Sequence, residues 1–409
     1  MVGIAAILLI AATLRLPVGA LSPLSLLIDA DIPLSATALG VLGMLPPIGF
    51  ALSGLFAPWV SRRAGLERTL LLAVAVMIAG HLIRAAAPSF VMLVLGSLVL
   101  LLGAGFGNVL LPAAVKRFTP GAIGPMTAAY ATIMAIGSAV PPLIAVPIAG
   151  GFDWRVSLAS WAIIVAAAIV PWVLLVVRAD GERRAGRASA LAAATHRESL
   201  PAPQPYSHGF AALARSRTAW GIAIPFTVSS ISAYVTFAFL PVILQDTAGL
   251  SAVQAGSLLA LFAILGMPLA IVVPVLTARL PTPTPLLLAS MLLFGFGYGG
   301  LLLAPALAPV VWVAAIGLGQ ISFPMCLTLF SLRTRSAAMA ADVSGFVQTV
   351  GYAIAAASPL AIGWLHEVTG SWSASLIVLL AVVAATILSI PMLVRGGVVD
   401  DELGVRVSR

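Results

Sequence analysis

Long apolar runs dominate the chain, and short polar or Pro/Gly-rich breaks separate them. A helix needs about 20 apolar residues to cross the hydrocarbon core of a bilayer. Twelve runs meet that length, and we number them span 1 to span 12. They cover roughly residues 3–28, 37–60, 69–87, 89–114, 122–149, 157–177, 218–244, 253–277, 285–304, 309–331, 342–364 and 374–394. The runs do not alternate with the period of a membrane β-barrel, so the pattern predicts an all-α integral membrane protein with twelve transmembrane helices.

The composition agrees with this class. Of the 409 residues, 61% are hydrophobic and 8% are charged, whereas soluble domains carry about 25% charged residues. Cys326 is the only cysteine and falls in an apolar run, which excludes an intramolecular disulfide and favours an inert, packed thiol.

The basic residues indicate the orientation in the membrane. Most of the 21 Lys and Arg residues fall in one set of connections, together with both termini, and we call this side the basic end. On the opposite side, which we call the far end, Arg84 and Arg155 stand among carboxylates such as Asp31 and Glu367. Cytoplasmic loops carry an excess of Lys and Arg. We therefore expect a multi-pass protein of the inner cell membrane with both termini cytoplasmic, and no nucleic-acid partner.

Motifs of the first half recur in the second half at a nearly constant spacing. The pairs include Ser35-Ala36 with Ser251-Ala252, Gly107-Asn108 with Gly319-Gln320, and Trp154 with Trp372. Because each half has an even number of spans, the two copies have the same orientation. Two parallel six-helix repeats are typical of the major facilitator fold, with two pseudo-symmetric bundles.

The repeat divides the chain into four parts. We predict an N-terminal six-helix bundle over residues 1–177 and a C-terminal six-helix bundle over residues 218–395. Residues 178–217 are rich in Arg, Ala and Pro and indicate a flexible cytoplasmic linker loop. Residues 396–409 form a cytoplasmic tail, and the protein is expected to be a monomer.

Arg15 is the first candidate for substrate binding. It lies about twelve residues into span 1, or roughly 18 Å at 1.5 Å per residue, near the middle of the membrane. Arginine stays charged there and must face protein or a water-filled cavity. Since the twelve spans carry no Asp or Glu well inside them, the counter-charge is expected to come with an anionic substrate. The alternative is a structural arginine that bonds backbone carbonyls or the amides of Asn108 and Gln320.

Asn108 and Gln320 occupy equivalent places in spans 4 and 10, each after Gly-x-Gly and four residues before a proline. Each amide either points into a central cavity or bonds the carbonyl that the proline frees in its own helix. The other candidate substrate-binding residues are Tyr130, Tyr234, Phe237, Gln348 and Tyr352.

Charged residues near the basic end are candidates for a gate between the two bundles. They are Arg62, Arg63, Arg68, Lys116 and Asp342, and a solvated charge is the alternative for Asp342. Arg84, near the far end of span 3, is expected to reach the membrane surface by snorkelling.

Other chemistry finds no support in the sequence. Gly295-Phe-Gly297-Tyr-Gly299-Gly300 fits a dinucleotide-binding pattern but lies inside an apolar run without a preceding strand, so helix packing explains it. Neither a phosphate-binding P-loop nor a Cys/His metal motif is present. We expect no cofactor, no metal and no enzyme activity.

The sequence resembles one family. The stretches TLRLPVGALSPL, PWVSRRAGLERTLLL, GAGFGNVLLPAAVKRF and YVTFAFLPVILQDTAGLSAVQAGSLLA are similar to the cyanate and 2-nitroimidazole transporter branch of the major facilitator superfamily. The resemblance implies transport of a small solute by alternating access, with an arginine in span 1. Two departures concern Thr13 and Leu16, where the family often has Asn and Pro, and Arg62, where the superfamily usually has Asp.

Two transport functions follow as expectations. The first is secondary active or facilitative transport of a small anion, cyanate-like or organic, with Arg15 supplying the charge. The alternative is export of neutral heteroaromatic compounds such as nitroimidazole-type drugs, with the aromatic side chains dominating. A third possibility, a membrane receptor that transports nothing, is less favoured. Such a receptor usually needs an attached signalling domain, and the tail after about residue 395 is too short to supply one.

Overall fold

A computed structural model describes residues 2–119, 122–192, 210–335 and 337–403. The side chains of some helical residues, including Arg62 and Lys116, lie outside the described residues. The described part contains 12 helical segments long and apolar enough to cross a membrane, which confirms the predicted spans.

The helices of the first half are Val2–Thr13 and Leu16–Gly19 in span 1, Ala36–Ala64 in span 2, Leu66–Ala85 in span 3, Phe90–Phe118 in span 4, Ile123–Gly151 in span 5, and Trp154–Ala167 with Ile169–Ala192 in span 6. Those of the second half are Arg217–Ala248 in span 7, Ala252–Arg279 in span 8, Thr284–Leu303 in span 9, Pro309–Gly319 with Ser322–Leu332 in span 10, Ala337–Thr369 in span 11, and Trp372–Ala384 with Ser389–Arg395 in span 12.

Spans 1 and 10 are each interrupted by a short break near the middle. Span 1 breaks at Leu14 and Arg15, just before Pro17. Span 10 breaks at Gln320 and Ile321, just before Pro324. Proline has no N–H to donate to the carbonyl four residues earlier, and its ring is tolerated in the first turn of a helix. The breaks therefore end one helix and start another, with Arg15 and Gln320 at the junctions.

Part of the segment 178–217, which the sequence predicts to be a flexible linker, is helical in the structure. The last helix of span 6 continues through Ala192, beyond the predicted end of the bundle. A second short helix, Phe210–Leu213, precedes span 7. Residues 193–209 lie outside the described residues.

The internal repeat is visible in matching side-chain contacts. Trp154 Nε1 donates a hydrogen bond of 3.0 Å to Asp31 in the first half, and Trp372 Nε1 donates one of 2.8 Å to Asp246 in the second half. Arg155 adds an ion pair to Asp31. Both contacts join the far end of one span to the start of a later span, so the two halves repeat a fold as well as a sequence.

The buried apolar side chains form three clusters. One lies toward the far end and contains residues of both halves, for example Ile28 and Trp154 with Phe239 and Trp372. The other two lie toward the basic end, and each belongs to one half alone, the first around Met77 and the second around residues 325–347. The halves are therefore packed together at the far end and have separate cores at the basic end.

The chain after span 12 packs back on the second half. Arg333 donates hydrogen bonds of 2.9 Å to the carbonyls of Leu393 and Gly396. The carboxylate of Glu402 accepts hydrogen bonds from Ser216 and Thr218 at the start of span 7. Burial by itself raises the pKa of Glu402, but these hydrogen bonds outweigh it and lower the pKa. In the predicted tail, residues 404–409 lie outside the described residues.

Candidate substrate-binding site

A cavity of about 620 Å³ lies between the two halves. Spans 1, 4 and 5 form its wall on the first half, and spans 7, 8, 10 and 11 form its wall on the second. Most of the lining side chains are apolar or aromatic. Seven of the predicted substrate-binding residues line it, namely Arg15, Asn108, Tyr130, Tyr234, Phe237, Gln320 and Tyr352. Their roles as substrate ligands stay a prediction.

Arg15 is the charged group of the cavity. Its guanidinium carbon lies 5.4 Å from the centre of the Phe50 ring, and it lines the cavity together with Tyr234 and Tyr352. Within the described part of the chain, no carboxylate forms an ion pair with it. A cation in such a site attracts a mobile anion, because the protein provides dipoles and ring faces around it without a full negative charge.

Gln320 points away from the backbone of its own helix. Its side-chain oxygen accepts a hydrogen bond from Ser229 in span 7, and its side-chain nitrogen has no partner. The carbonyl that Pro324 leaves without its usual donor is Gln320 O, which accepts from the Phe323 N–H at 3.1 Å. The amide therefore does not bond the carbonyl that the proline frees; it bonds span 7 beside the cavity, and its buried nitrogen has no partner among the described residues.

Aromatic rings form much of the wall on the second half. Tyr234 and Tyr352 meet edge to face with centroids 6.3 Å apart, and Phe237 and Phe262 meet in the same way at 5.5 Å. Such a wall holds flat or apolar parts of a substrate by area and by ring geometry. It also lowers the dielectric constant around Arg15, which strengthens any ion pair formed there.

Gln348 does not line this cavity. Its side-chain nitrogen donates to the Ser344 hydroxyl at 2.7 Å, one turn earlier in the same helix. The two residues lie in span 11 with Tyr352, but the cavity wall begins only at Tyr352. The structure therefore does not bring Gln348 together with the other candidates.

Two of the candidate gate residues, Arg63 and Arg68, make contacts within the first half. The side chains of Arg62 and Lys116 lie outside the described residues. Arg63 lies over the ring of Trp59, 4.0 Å from its centre, in its own helix. Arg68 forms a 2.8 Å ion pair with Asp180 between spans 3 and 6. Both contacts stay within the first half. Asp342 is half-buried near the start of the span 11 helix.

Arg84 is placed differently from the prediction. It is 1% exposed and lies inside the first half, where its Nη1 donates to the Pro17 carbonyl at 3.3 Å. It therefore does not snorkel to the membrane surface. The expectation was wrong because span 1 and span 4 cover that face of span 3, which the sequence of span 3 alone does not reveal.

Some residues of the site had weak or no sequence signals. Phe50 and Phe262 resemble any other apolar residue of their spans. Ser229 belongs to a run of hydroxyl residues in span 7, FTVSSISAY, and such polar residues in a span tend to face other helices rather than lipid.

Within the described ranges, no group of three or more His, Cys, Asp or Glu side chains is placed to hold a metal ion.

The cavity extends from the centre of the protein toward the basic end. Its lining includes Leu111 of span 4, Pro274 of span 8 and Thr328 of span 10, each on the basic side of the helix centre. The lining residues of these three spans include none from the far ends of their helices.

The far end is closed by direct contact between the halves. Thr37 of span 2 donates two hydrogen bonds to Glu367 of span 11, from its N–H at 2.9 Å and from its hydroxyl at 2.6 Å. Gly40 lies so close to span 11 that an added Cβ would stand 2.6 Å from the Pro359 carbonyl oxygen. The cavity is thus open toward the basic end and sealed at the far end.

Comparison with known proteins gives a consistent result. Residues 4–359 match the family profile described as Major Facilitator Superfamily. The chain is 32% identical over 375 residues to the 2-nitroimidazole transporter of Escherichia coli (strain K12), covering 91% of this chain and 90% of that protein. It is 25% identical over 348 residues to the cyanate transport protein CynX of the same organism, covering 83% of each.

A solved structure shows the same fold. The crystal structure of a bacterial homolog to the human lysosomal transporter Spinster, in an inward-facing and occupied conformation, superposes with a TM-score of 0.72. The two chains are 15% identical, and the match covers 99% of this chain and 98% of the other. The chain therefore belongs to the Major Facilitator Superfamily of transporters, in its cyanate and 2-nitroimidazole transporter branch.

Proposed function

We propose that this protein carries a small anion across the inner cell membrane by alternating access, as a monomer with both termini in the cytoplasm. The observation that carries the proposal is Arg15, a cation without a carboxylate partner in the described residues, on the wall of a cavity of about 620 Å³. The anion pairs with Arg15, and the amides of Asn108 and Gln320 orient it.

The state seen here supports alternating access. The cavity opens toward the basic end, which the Lys and Arg distribution assigns to the cytoplasm. Separate apolar cores at that end and a shared core at the far end let the halves rock about the substrate site. In the opposite state, the contacts between spans 2 and 11 separate, and the basic end closes.

The test is uptake into proteoliposomes with purified protein, using cyanate and small carboxylates as the anions. The Arg15→Gln protein loses charge-assisted hydrogen bonds worth about 1.5–3 kcal/mol, so its apparent affinity for the anion falls by roughly 10- to 150-fold. Arg15→Lys keeps the charge and retains part of the activity. Wild-type transport of every anion by a well-folded Arg15→Gln protein contradicts the proposal.

A second candidate substrate class is neutral heteroaromatic compounds. The aromatic wall that includes Tyr234, Tyr352, Phe237 and Phe262 favours it, and so does the similarity to a 2-nitroimidazole transporter. This function predicts that Arg15→Gln still transports 2-nitroimidazole, whereas Phe237→Ala, which removes ring area, lowers that transport. The same proteoliposomes, loaded with 2-nitroimidazole, separate the two classes.

A further inference from the structure

A second buried guanidinium lies outside the main cavity. Arg84 is 1% exposed, and its Nε and Nη2 atoms have no hydrogen-bond partner. Among the described residues, its one hydrogen bond runs from Nη1 to the Pro17 carbonyl. No carboxylate in the described ranges forms an ion pair with it. A buried charge without a partner costs several kcal/mol, and a negative group beside Arg84 removes that cost.

Space for such a group is present beside the side chain. Both Arg84 and Ser97 of span 4 line a small cavity of about 40 Å³. Ser97 is 3% exposed, and its hydroxyl also has no hydrogen-bond partner. A single water needs about 10–15 Å³ measured in this way, so the cavity has room for an anion of about three non-hydrogen atoms.

The small cavity adjoins the main one on its far-end side. Val18, Tyr234 and Phe237 line both cavities, so these three side chains form the partition between them. Toward the far end, the hydroxyl of Ser22 donates a 2.8 Å hydrogen bond to the Ala238 carbonyl and ties span 1 to span 7. Arg15 lines the main cavity and Arg84 lines the small one, so the three shared side chains stand between the two sites.

The geometry points to a second anion subsite, in which Arg84 and Ser97 bind a small monovalent anion. The guanidinium supplies the charge, and its Nε–H and Nη2–H groups and the Ser97 hydroxyl are buried donors without a partner among the described residues. An anion bound at Arg15 reaches this subsite when the halves rock and the partition of Val18, Tyr234 and Phe237 moves. Placing this subsite on the transport path rests on the proposed function. Anion binding at Arg84 does not, because it can be measured without transport.

Chloride is the probe for the experiment, because it fits both cavities and its NMR line broadens when it exchanges with a protein site. Purified full-length protein in detergent is titrated with chloride at constant ionic strength, as wild type, Arg15→Gln, Arg84→Gln and the double variant. We expect Arg15→Gln to keep a protein-dependent broadening that the double variant loses. Ser97→Ala, made in the Arg15→Gln protein, raises the chloride Kd by about 3- to 10-fold through the loss of one hydrogen bond.

Controls separate this subsite from general charge effects and from misfolding. Arg279→Gln removes an exposed positive charge at the basic end and leaves the broadening as in the wild type. Arg84→Lys and Ser97→Ala change the buried site without removing its charge, so they report on it if Arg84→Gln fails to fold. Equal broadening in Arg15→Gln and the double variant, together with an unchanged Kd in Ser97→Ala, means that water alone fills the cavity and overturns the proposal.

The two proposals fail in different ways. If Arg15→Gln transports anions normally, the proposed function fails, while the broadening that depends on Arg84 still establishes the subsite. If the broadening does not depend on Arg84 but transport depends on Arg15, the subsite fails and the proposed function stands.

Discussion

At the far end, two aspartates join the end of one span to the start of another by hydrogen bonds. Asp31 accepts hydrogen bonds from the Trp154 indole and from Arg155, and the equivalent Asp246 accepts from the Trp372 indole. The pKa of Asp31 is lowered, first by the hydrogen bond from Arg155 and then by that from Trp154. The folded protein therefore favours the ionised form of this carboxyl more than the unfolded chain does.

The lowered pKa of Asp31 predicts a pH dependence of stability. The contribution of the ionised carboxylate is complete above the ordinary aspartate pKa of about 3.9, and it is lost as the pH falls through the lowered value. We expect the wild-type protein to lose more thermal stability between pH 5 and pH 3 than Asp31→Asn does, as measured by unfolding in detergent. The difference is small because the ion pair is exposed. Parallel pH curves for the two proteins contradict this role.

At the scale of elements, close contacts between helices decide where the two halves touch. Ser35 and Ser251 cap equivalent helices in the two halves and so set where spans 2 and 8 begin. A few residues further on, Gly40 and Gly256 meet the carbonyls of Pro359 and Pro142 in the opposite half. The sequence repeat revealed both Ser-Ala-x-x-x-Gly motifs, but only the packed helices show that their glycines touch backbone across the interface.

Gly40→Ala is expected to open the far end. A Cβ there would stand 2.6 Å from the Pro359 carbonyl oxygen and 2.9 Å from the Leu360 Cα, and backbone atoms have little room to retreat. The substitution therefore disfavours the state described here relative to one open at the far end. The measurement is labelling of a Leu39→Cys reporter by a membrane-impermeant thiol reagent, in a Cys326→Ala protein, and we expect labelling to become several-fold faster.

Gly54→Ala is the matched control for this prediction. Gly54 lies in the same helix, and a Cβ added to it meets no atom within 4 Å. It should leave the labelling rate of the reporter unchanged. Equal rates for the Gly40→Ala and Gly54→Ala proteins would show that the close contact does not control the far end.

At the scale of the whole molecule, the distribution of apolar packing determines the conformation. One core joins both halves at the far end, whereas each half has its own core at the basic end. Glu367 adds a polar connection to the far end, since its carboxylate accepts both the N–H and the hydroxyl of Thr37. The state with the cavity open to the basic end is thus stabilised by an apolar interface between the halves and by the hydrogen bonds between Thr37 and Glu367 at its edge.

Glu367→Gln is expected to weaken the closure without abolishing it. An exposed charged contact contributes about 0.2–1 kcal/mol, so the ratio of closed to open far ends falls by roughly 1.4- to 5-fold. The Leu39→Cys reporter measures this change as faster labelling. Glu402→Gln is the matched control, because its carboxylate likewise accepts the N–H and the hydroxyl of one threonine, Thr218, but connects parts of one half only. Equal effects of the two substitutions would assign no gating role to Glu367.

The candidate site was partly predictable for a definite reason. Arg15, Asn108 and Gln320 stand out because polar groups are costly in an apolar span, and the repeat relates the last two. Gln348 has the same polarity but bonds Ser344 instead, and Arg84 is covered by neighbouring spans. Polarity indicates that a residue avoids lipid, whereas the choice between a cavity, a helix neighbour and a closed pocket depends on residues far away in the sequence.

The sequence by itself determined the twelve spans, the two parallel repeats, the basic end and the lone cation of span 1. These properties depend on the length of apolar runs, on local motifs and on charge counts, all of which are contiguous in the chain. Only the tertiary structure decided which end of the cavity is closed, that Gln320 bonds Ser229, and that Arg84 and Ser97 line one small cavity. Each of these depends on contacts between separate spans, and the same spans rearrange those contacts when the halves rock.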